Sequence, residues 1–291
     1  MAVAGLIFSN IHDSAIPELT TVRTMASVPF GCRYRLIDFA LSNMVNSGIT
    51  KIGIVAHNNY QSLLDHIGTG KDWDLARRSG GIKILPPFIT SYEGGTGASL
   101  YNTRLEALLG VTNFIDKCNE EYLVLSDCDG ICNVDLSAVI ASHIKNNADI
   151  TIVTRIIGSD EENVKGMTAV ISDARGAIVD VGGYVKGVSS NEVSTNIMVV
   201  SRMFLLGALR DAAAHGYKHF MKDIVARRIG KARIFSYLYR DTYIQVTSLE
   251  SYFKSSMKLL DTDIRKSLFN VPNMPVYTKL RNSSPTRYSS E

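Results

Sequence analysis

The sequence is poor in the features that mark specialised classes of protein. Only four of its 291 residues are cysteine, which argues against a disulfide framework and predicts a reducing, cytoplasmic compartment. No apolar run approaches the ~20 residues that a transmembrane helix needs. The apolar N-terminal stretch is short and has neither a basic segment nor a cleavage site. We therefore expect neither export nor membrane binding.

An excess of charge of one sign is also lacking. The chain has 31 basic and 28 acidic residues, a net charge of +3, and its basic residues form no long run. A surface that binds nucleic acid through its charge is therefore not expected. Hydrophobic residues make up 45% of the chain and charged residues 20%, so disorder is not indicated and a sizeable core is.

What the sequence does contain is an alternation of short apolar runs with helical patterns. Strand-like runs occupy 2–8, 51–56, 122–125, 150–157, 169–172 and 196–200, and helical spacing of apolar residues occupies 35–46 and 136–146. This order predicts an α/β fold with βαβ units and a mainly parallel sheet. Ligands of such sheets bind beyond the carboxyl ends of the strands, so we expect the functional residues directly after Phe8 and Leu125.

A long motif points to a family. Residues 28–48, VPFGCRYRLIDFALSNMVNSG, closely resemble the VPFGGKYRIIDFPLSN-type stretch of bacterial and plant ADP-glucose pyrophosphorylases. Further similar stretches at 60–67, 122–135, 220–223 and 248–260 extend the resemblance over nearly the whole chain. The resemblance implies a dinucleotide-fold sugar-nucleotidyltransferase domain with a mainly parallel mixed sheet. Members of the family make ADP-glucose from ATP and glucose 1-phosphate for glycogen or starch.

The resemblance also implies how the chain is divided. Residues 1–270 correspond to the nucleotidyltransferase-like domain. Residues 271–291 are polar, contain Pro272, Pro275 and Pro285, and are predicted to be a linker. In the family such a linker leads to a left-handed β-helix, which is absent from this sequence.

The phosphate-binding loop of the family is not present. Relatives have G-G-x-G-T-R after the first strand, where this chain has SNIHDS at 9–14, and Met25 replaces a lysine. Glycine lets backbone N–H groups approach phosphate oxygens, and a cation stabilises the leaving pyrophosphate. Asp13 would instead repel phosphate. The resemblance therefore implies a regulatory, weakly or non-catalytic subunit that joins a catalytic paralogue in an oligomer.

Two carboxylates match the positions that hold Mg²⁺ in the family. They are Asp129, in SDCDGICN, and Asp223, in FMKD. Carboxylate oxygens suit a hard cation that bridges phosphates, so the resemblance implies Mg²⁺ if a nucleotide binds, with both residues as vestigial catalytic candidates. Asp127 is an alternative to Asp129, because the match of this segment to the family motif can shift by about one residue. Asp129 is otherwise interpreted as a turn or capping residue.

Three further residues gain candidate roles from the resemblance. Arg33 matches a basic position that helps relatives bind phosphorylated effectors; the alternative is a solvent-facing or ion-paired arginine. Ser194 and Asn196, in VSTNIMVV, match a strand whose serine faces the sugar; the alternative is an exposed strand start. Asp38, next to an arginine in an apolar helix, is predicted to be a structural, paired carboxylate.

Other functions stay open. A working glucose-1-phosphate adenylyltransferase would need substitute cations, for which Lys186 and Arg104 are at hand. A free-standing sugar-nucleotide-binding module is a further alternative. The six histidines are scattered without the spacing of a metal pair or a catalytic triad, and we assign none of them a catalytic role. The ligands that the resemblance implies are ATP, glucose 1-phosphate or a phosphorylated effector.

Overall fold

A computed structural model describes residues 2–86, 101–158, 166–187 and 189–281. The strands are β1 (Val3–Phe8), β2 (Pro29–Phe30), β3 (Tyr34–Arg35), β4 (Lys51–Val55), β5 (Gly81–Leu85), β6 (Tyr122–Asp127), β7 (Gly130–Cys132), β8 (Ile150–Ile156), β9 (Thr168–Ser172), β10 (Ile178–Gly183), β11 (Glu192–Ser201), β12 (Ile234–Leu238) and β13 (Tyr243–Gln245). The helices are α1 (Pro17–Thr20), α2 (Leu36–Asn46), α3 (Gln61–Ile67), α4 (Arg104–Gly110), α5 (Thr112–Asp116), α6 (Leu136–Lys145), α7 (Arg202–His215), α8 (Leu249–Lys258) and α9 (Thr262–Phe269). A π-helical turn, Phe220–Val225, follows α7.

The central sheet confirms the predicted α/β class. Its main order is β10-β9-β11-β6-β1-β4-β5, and β8 joins β11 to the edge strand β12. The strands β6, β1, β4 and β5 run parallel to one another. The long strand β11 is antiparallel to both β6 and β8, which makes the sheet mixed. The described residues contain no β-helix.

Helices cover both faces of the sheet. One face packs against α4, α5 and α7 through residues such as Leu108 and Leu205, and the other packs against α2, α3 and α6 through residues such as Leu41 and Val139. Each such leucine or valine contributes about 1.5–3 kcal/mol when fully buried. Burial on both faces explains why the strands are apolar throughout instead of alternating.

Close packing places α2 directly against the first strand. A Cβ atom built on Gly5 of β1 would collide with the sulfur of Met44, so a larger residue at this position would force that side chain to move. Asp38 accepts a hydrogen bond from the Arg35 backbone N–H at 3.0 Å and caps the start of α2. Asp38 therefore stabilises the start of α2, and Met44 near the end of this helix packs on β1.

The first part of the predicted linker lies against the domain. The Tyr277 backbone N–H donates to Ser42 Oγ at 2.8 Å, and Asn133 Nδ2 donates to the Met274 carbonyl at 2.7 Å. Thr278 is buried. Residues 282–291 of the predicted linker lie outside the described residues, and the domain division stays a prediction. No helix among the described residues is long and apolar enough to span a bilayer.

Candidate functional site

The loop after β1 is closed by its own side chains. Asp13 Oδ1 accepts the Met25 backbone N–H at 2.7 Å, and Asp13 Oδ2 accepts Asn10 Nδ2 at 2.6 Å. Asn10 Oδ1 in turn accepts the His57 backbone N–H at 3.0 Å. Burial raises the pKa of Asp13 to about 6, against the lowering effect of the Met25 and Asn10 hydrogen bonds. The Asp13 carboxylate therefore engages the Met25 backbone N–H and holds the loop closed.

Two buried carboxylates stand at the carboxyl end of β6. Asp127 is the last residue of this strand, and Asp129 follows just before β7; they are 4% and 1% exposed. Arg104, in the first turn of α4, contacts Asp127 at two points. Its Nη2 lies 2.5 Å from Asp127 Oδ2, and its Nε lies 3.3 Å from Oδ1. Such a two-point pair fixes both groups and partly offsets the cost of burying their charges.

His12 from the loop after β1 closes over these carboxylates. Its Nε2 lies 2.7 Å from Asp127 Oδ2 and 3.8 Å from Asp129 Oδ2, and its side chain is 30% exposed. Burial acts to lower the pKa of His12, but the charges of Asp129 and Asp127 and the hydrogen bond that the ring donates to Asp127 raise it to about 9. The ring is therefore an imidazolium at neutral pH and donates to Asp127.

The two carboxylates differ in their own titration. Burial acts to raise the pKa of Asp127, but the charges of Arg104 and His12 outweigh it and lower the value. The pKa of Asp129 is raised by burial, against the lowering effect of His12, and the neighbouring Asp127 raises it further. Asp127 therefore stays ionised to a lower pH than an ordinary aspartate, whereas Asp129 keeps its proton to a higher pH.

An amide from β13 completes the surroundings of Asp129. Gln245 Nε2 donates to Asp129 Oδ2 at 2.8 Å, and the Val246 backbone N–H donates to the Asp129 carbonyl at 2.9 Å. Asp129 Oδ1 is buried and has no hydrogen-bond partner among the described residues. The site therefore contains one unused carboxylate oxygen beside an amide donor and an imidazolium.

Three side chains of this site could together hold a divalent cation. His12, Asp127 and Asp129 each offer one ligand atom, and these atoms lie within 4.8 Å of one another. His12 and Arg104 both contact Asp127, so in this arrangement its charge is already paired. A divalent cation bound here would have to replace these two contacts, and metal binding would release the proton of His12.

Asp223 lies in a different local setting. Its Oδ2 accepts the backbone N–H groups of Lys218 and His219 at 3.1 and 2.9 Å, which satisfies the start of the π-helical turn. Arg227 Nε lies 3.7 Å from Oδ1. The hydrogen bonds from His219 and Lys218 lower the pKa of Asp223 despite some desolvation. The pairing of Asp223 with Asp129 at one Mg²⁺ stays a prediction.

The two predicted substrate residues lie at an irregularity of β11. The register with β8 shifts between Ser194 and Met198, and Asn196 takes a left-handed conformation with φ of 63°. Ser194 is 4% exposed, and its Oγ accepts the Asn196 backbone N–H at 3.1 Å. Ser194 is therefore buried and engaged within its own strand, whereas Asn196 is half-buried. Contact with a sugar stays a prediction for both.

The predicted cationic residues occupy separate places. Arg33 is exposed, and its guanidinium carbon lies 5.5 Å from the centre of the Tyr34 ring. Burial lowers the pKa of the nearby Arg35, and the positive charges of Arg281 and Arg23 lower it further. Lys186 is exposed, in the turn after β10, whereas Arg104 lies in the carboxylate site. Effector binding by Arg33 stays a prediction.

Sequence reasoning gives His12 no catalytic role and does not predict its pair with Asp127. Its position four residues after the end of β1 is a signal that the general rule for parallel sheets supplies, since ligands and functional groups gather at that edge. The sequence pattern does not mark this histidine as functional, because no partner lies at a recognisable spacing from it. Its partner, Asp127, is 115 residues away in sequence.

Comparisons with known proteins agree with this geometry. The family model described as nucleotidyl transferase matches residues 16–180. A glucose-1-phosphate adenylyltransferase of Fervidobacterium nodosum is 31% identical over 291 residues, which cover 99% of this chain and 68% of the relative. The glycogen biosynthesis protein GlgD of Geobacillus stearothermophilus is 31% identical over 290 residues, covering 99% and 72%. The GlgD protein of Bacillus subtilis is 27% identical over 286 residues, covering 98% and 71%.

The mixed α/β sheet belongs to a nucleotidyl transferase domain, because the family model matches more than half of the chain. The similarity to a glucose-1-phosphate adenylyltransferase and to a GlgD protein extends over 99% of this chain. The chain belongs to the ADP-glucose pyrophosphorylase family.

Proposed function

We propose that this chain is a regulatory, weakly or non-catalytic subunit of a glucose-1-phosphate adenylyltransferase. In this role it joins a catalytic paralogue in a hetero-oligomer that makes ADP-glucose from ATP and glucose 1-phosphate for glycogen biosynthesis. The relatives named glycogen biosynthesis protein GlgD and those named glucose-1-phosphate adenylyltransferase support the pathway. The four free cysteines support a reducing, cytoplasmic compartment.

One observation carries the proposal. At the edge where a nucleotide would bind, the charges are already paired with one another: His12 and Arg104 both contact Asp127, within 2.7 Å. A triphosphate in this place would find the His12 and Arg104 charges already paired with Asp127. It would also face the Asp13 carboxylate. Loss of even one donor to the transition state costs about 3 kcal/mol, or ~10² in rate.

The proposed ligands are glucose 1-phosphate, a phosphorylated effector and Mg²⁺ bound together with a nucleotide. Ser194 and Asn196 are proposed to contact a sugar if glucose 1-phosphate binds, and Arg33 is proposed to bind the phosphate of an effector. Mg²⁺ enters only together with the phosphates of a bound nucleotide, and Asp129 and Asp223 are the residues proposed to face it.

The test is release of pyrophosphate from ATP and glucose 1-phosphate. We expect the pure chain to be at least ~10²-fold slower than a catalytic paralogue, and a mixture of the two to respond to effectors differently from the paralogue alone. Arg33→Gln is expected to change that response without changing the basal rate. The matched control is Arg210→Gln, which removes an exposed positive charge from α7.

Robust turnover by the pure chain would overturn the regulatory role. A second test restores the loop by placing Gly and Arg within 9–14 together with Met25→Lys, and measures binding of ATP by calorimetry. We expect tighter binding in the restored variant. An unchanged affinity would show that the loop does not limit nucleotide binding.

A catalytically competent enzyme is the second candidate, and one observation favours it. Arg104 places a guanidinium inside the carboxylate site, and it is 9% exposed. If a triphosphate displaced Asp127 from this group, Arg104 would supply a cation that the altered loop lacks; Lys186 is the other substitute. Under this alternative, Arg104→Gln abolishes pyrophosphate release by the pure chain, whereas under the regulatory proposal there is little release to lose.

A further inference from the structure

The helix α8 and the turn after it carry an exposed apolar stripe. Leu249, Phe253, Met257 and Leu260 are 42%, 63%, 48% and 38% exposed. Their spacing of four, four and three residues places them on one side of the helix. They are four of the twelve large exposed hydrophobic residues in the described part of the chain, yet they lie within a twelve-residue segment. Such a concentration is typical of an interaction surface and not of scattered surface residues.

The other side of α8 is anchored in the domain. Ser255 and Leu259 are buried. The Tyr252 hydroxyl donates to the Pro29 carbonyl at 2.7 Å, and the centre of its ring lies 6.5 Å from that of Phe30. The apolar stripe is therefore presented by a helix that is already fixed in place, which lowers the entropy cost of docking.

A row of charged side chains runs along one flank of the stripe. Its members are Glu250, Lys254 and Lys258, each about one turn from the next. Glu250 Oε1 lies 2.9 Å from Lys254 Nζ, and both side chains are more than half exposed, so water screens this pair and it stabilises α8 only slightly. Lys258 lies about 12 Å along the helix from Glu250. The row therefore has an acid at its amino end and a base at its carboxyl end.

This order of charges matches a second copy of the same helix when the two helices run antiparallel. Glu250 then faces Lys258 of the second copy, the two-fold axis repeats this pair, and the apolar stripes meet beside the charged rows. A parallel copy would place each of these residues against its own equivalent, and like charges repel. We propose that α8 is the docking surface for a second copy of this chain in the antiparallel arrangement. The inference goes beyond the proposed function, because it requires neither a nucleotide nor a catalytic paralogue.

The test is self-association of the purified chain, measured by sedimentation velocity over a range of concentrations. Four apolar side chains are far fewer than the ~20 residues per side of a standard interface, so we expect a weak dimer, half-associated at roughly 10–100 µM. Phe253→Glu places a charge in the stripe and is expected to weaken the dimer at least ~10-fold. The matched control is Met203→Glu, which adds the same charge to α7 at a position that is 69% exposed and is expected to associate as the unaltered chain does.

Charge reversal tests the antiparallel order. Glu250→Lys and Lys258→Glu each replace two symmetric attractions by repulsions, and each is expected to weaken the dimer about 5-fold at low salt. The double variant restores opposite charges across the interface and is expected to associate within ~2-fold of the unaltered chain. Both positions and Phe253 are exposed, so we expect every variant to fold, which urea denaturation checks.

Three results would overturn the proposal. They are a monomer at every concentration up to ~1 mM, equal weakening by Phe253→Glu and Met203→Glu, and a double charge reversal that associates no better than the single variants. A pure chain that stays monomeric but binds a catalytic paralogue through α8 would likewise overturn it and assign the stripe to that partner. None of these results bears on the rate of pyrophosphate release, so failure here is distinguishable from failure of the regulatory proposal.

Discussion

The molecule contains the same pair of side chains in two different settings. Asp38 and His66 are both fully buried, with Oδ1 and Nε2 2.6 Å apart and the Trp73 ring 5.7 Å from the imidazole. Asp127 and His12 have a similar contact at 2.7 Å, but the histidine is 30% exposed at the edge of the sheet. The contact distance is nearly equal, and the surroundings differ.

The different surroundings of the Asp38–His66 pair, here the inner pair, and the Asp127–His12 pair, here the outer pair, indicate different roles. Asp38 also caps α2, so its pair with His66 joins two helices inside a packed core. Asp127 shares its charge with Arg104 and lies beside Asp129, at the place where related sheets bind ligands. The inner pair is a structural connection. The outer pair occupies space and charge that a ligand would use.

The largest expected effect is on the inner pair. Asp38→Ala leaves His66 buried without its partner and removes the cap from the Arg35 N–H. We expect the free energy of unfolding to fall by about 4 kcal/mol, measured by urea denaturation. Asp65→Ala, an exposed position on α3, is the control and should change it by less than ~0.5 kcal/mol. An equally small effect of Asp38→Ala would remove the distinction between the two pairs.

The next effect concerns the outer pair. Among the described residues, Arg104→Gln leaves the buried Asp127 with His12 as its one charged partner at contact distance. We expect a loss of about 3 kcal/mol in the same urea measurement. The pKa of His12, followed by NMR titration, should rise further in this variant, because the Arg104 charge acts to lower it. A fall in the pKa of His12 would contradict the described charge arrangement.

The pH dependence of stability gives a somewhat smaller effect. The pKa of His12 is about 9 in the folded protein and about 6.5 in the unfolded chain, so the folded state binds the proton more tightly. The stabilisation is fully present below about pH 6.5 and is lost as the pH rises through about 9. We expect the unaltered chain to lose on the order of 2 kcal/mol more than His12→Gln over this window. Parallel pH curves for the two proteins would exclude the ion pair.

The smallest expected effect separates Asp223 from the outer pair. Asp223→Ala removes the acceptor of two backbone N–H groups and should lower the free energy of unfolding by about 1 kcal/mol. The pKa of His12 should not change in this variant. A shift of that pKa would place Asp223 within the charge network of Asp127 and Asp129.

Much of the fold is readable from the sequence because its main signals are local. The apolar runs at 51–56, 122–125 and 150–157 correspond to β4, β6 and β8, and the helical pattern at 35–46 corresponds to α2. The run at 196–200 is only the end of β11, which begins at Glu192. The first half of β11 is not predicted by the sequence pattern because polar residues dominate it, although Ser194 and Thr195 are buried.

The sequence predicts only part of the candidate site. The sequence singles out Asp129 and the altered loop, because a family motif exists to compare them with. It offers no signal that Gln245 donates to Asp129 or that His12 pairs with Asp127, because these contacts join residues 116 and 115 positions apart. Long-range pairing of charges is decided by the topology of the sheet and not by local spacing.

The mutual pairing of His12, Arg104 and Asp127 has a consequence for redesign of this edge of the sheet. Removal of either cation alone leaves the buried Asp127 with one of these two charged partners, and removal of the acid alone leaves two cations in close contact. Each single substitution is therefore expected to give a less stable protein. The effects are expected to be epistatic, so an open site would require the three positions to be changed together.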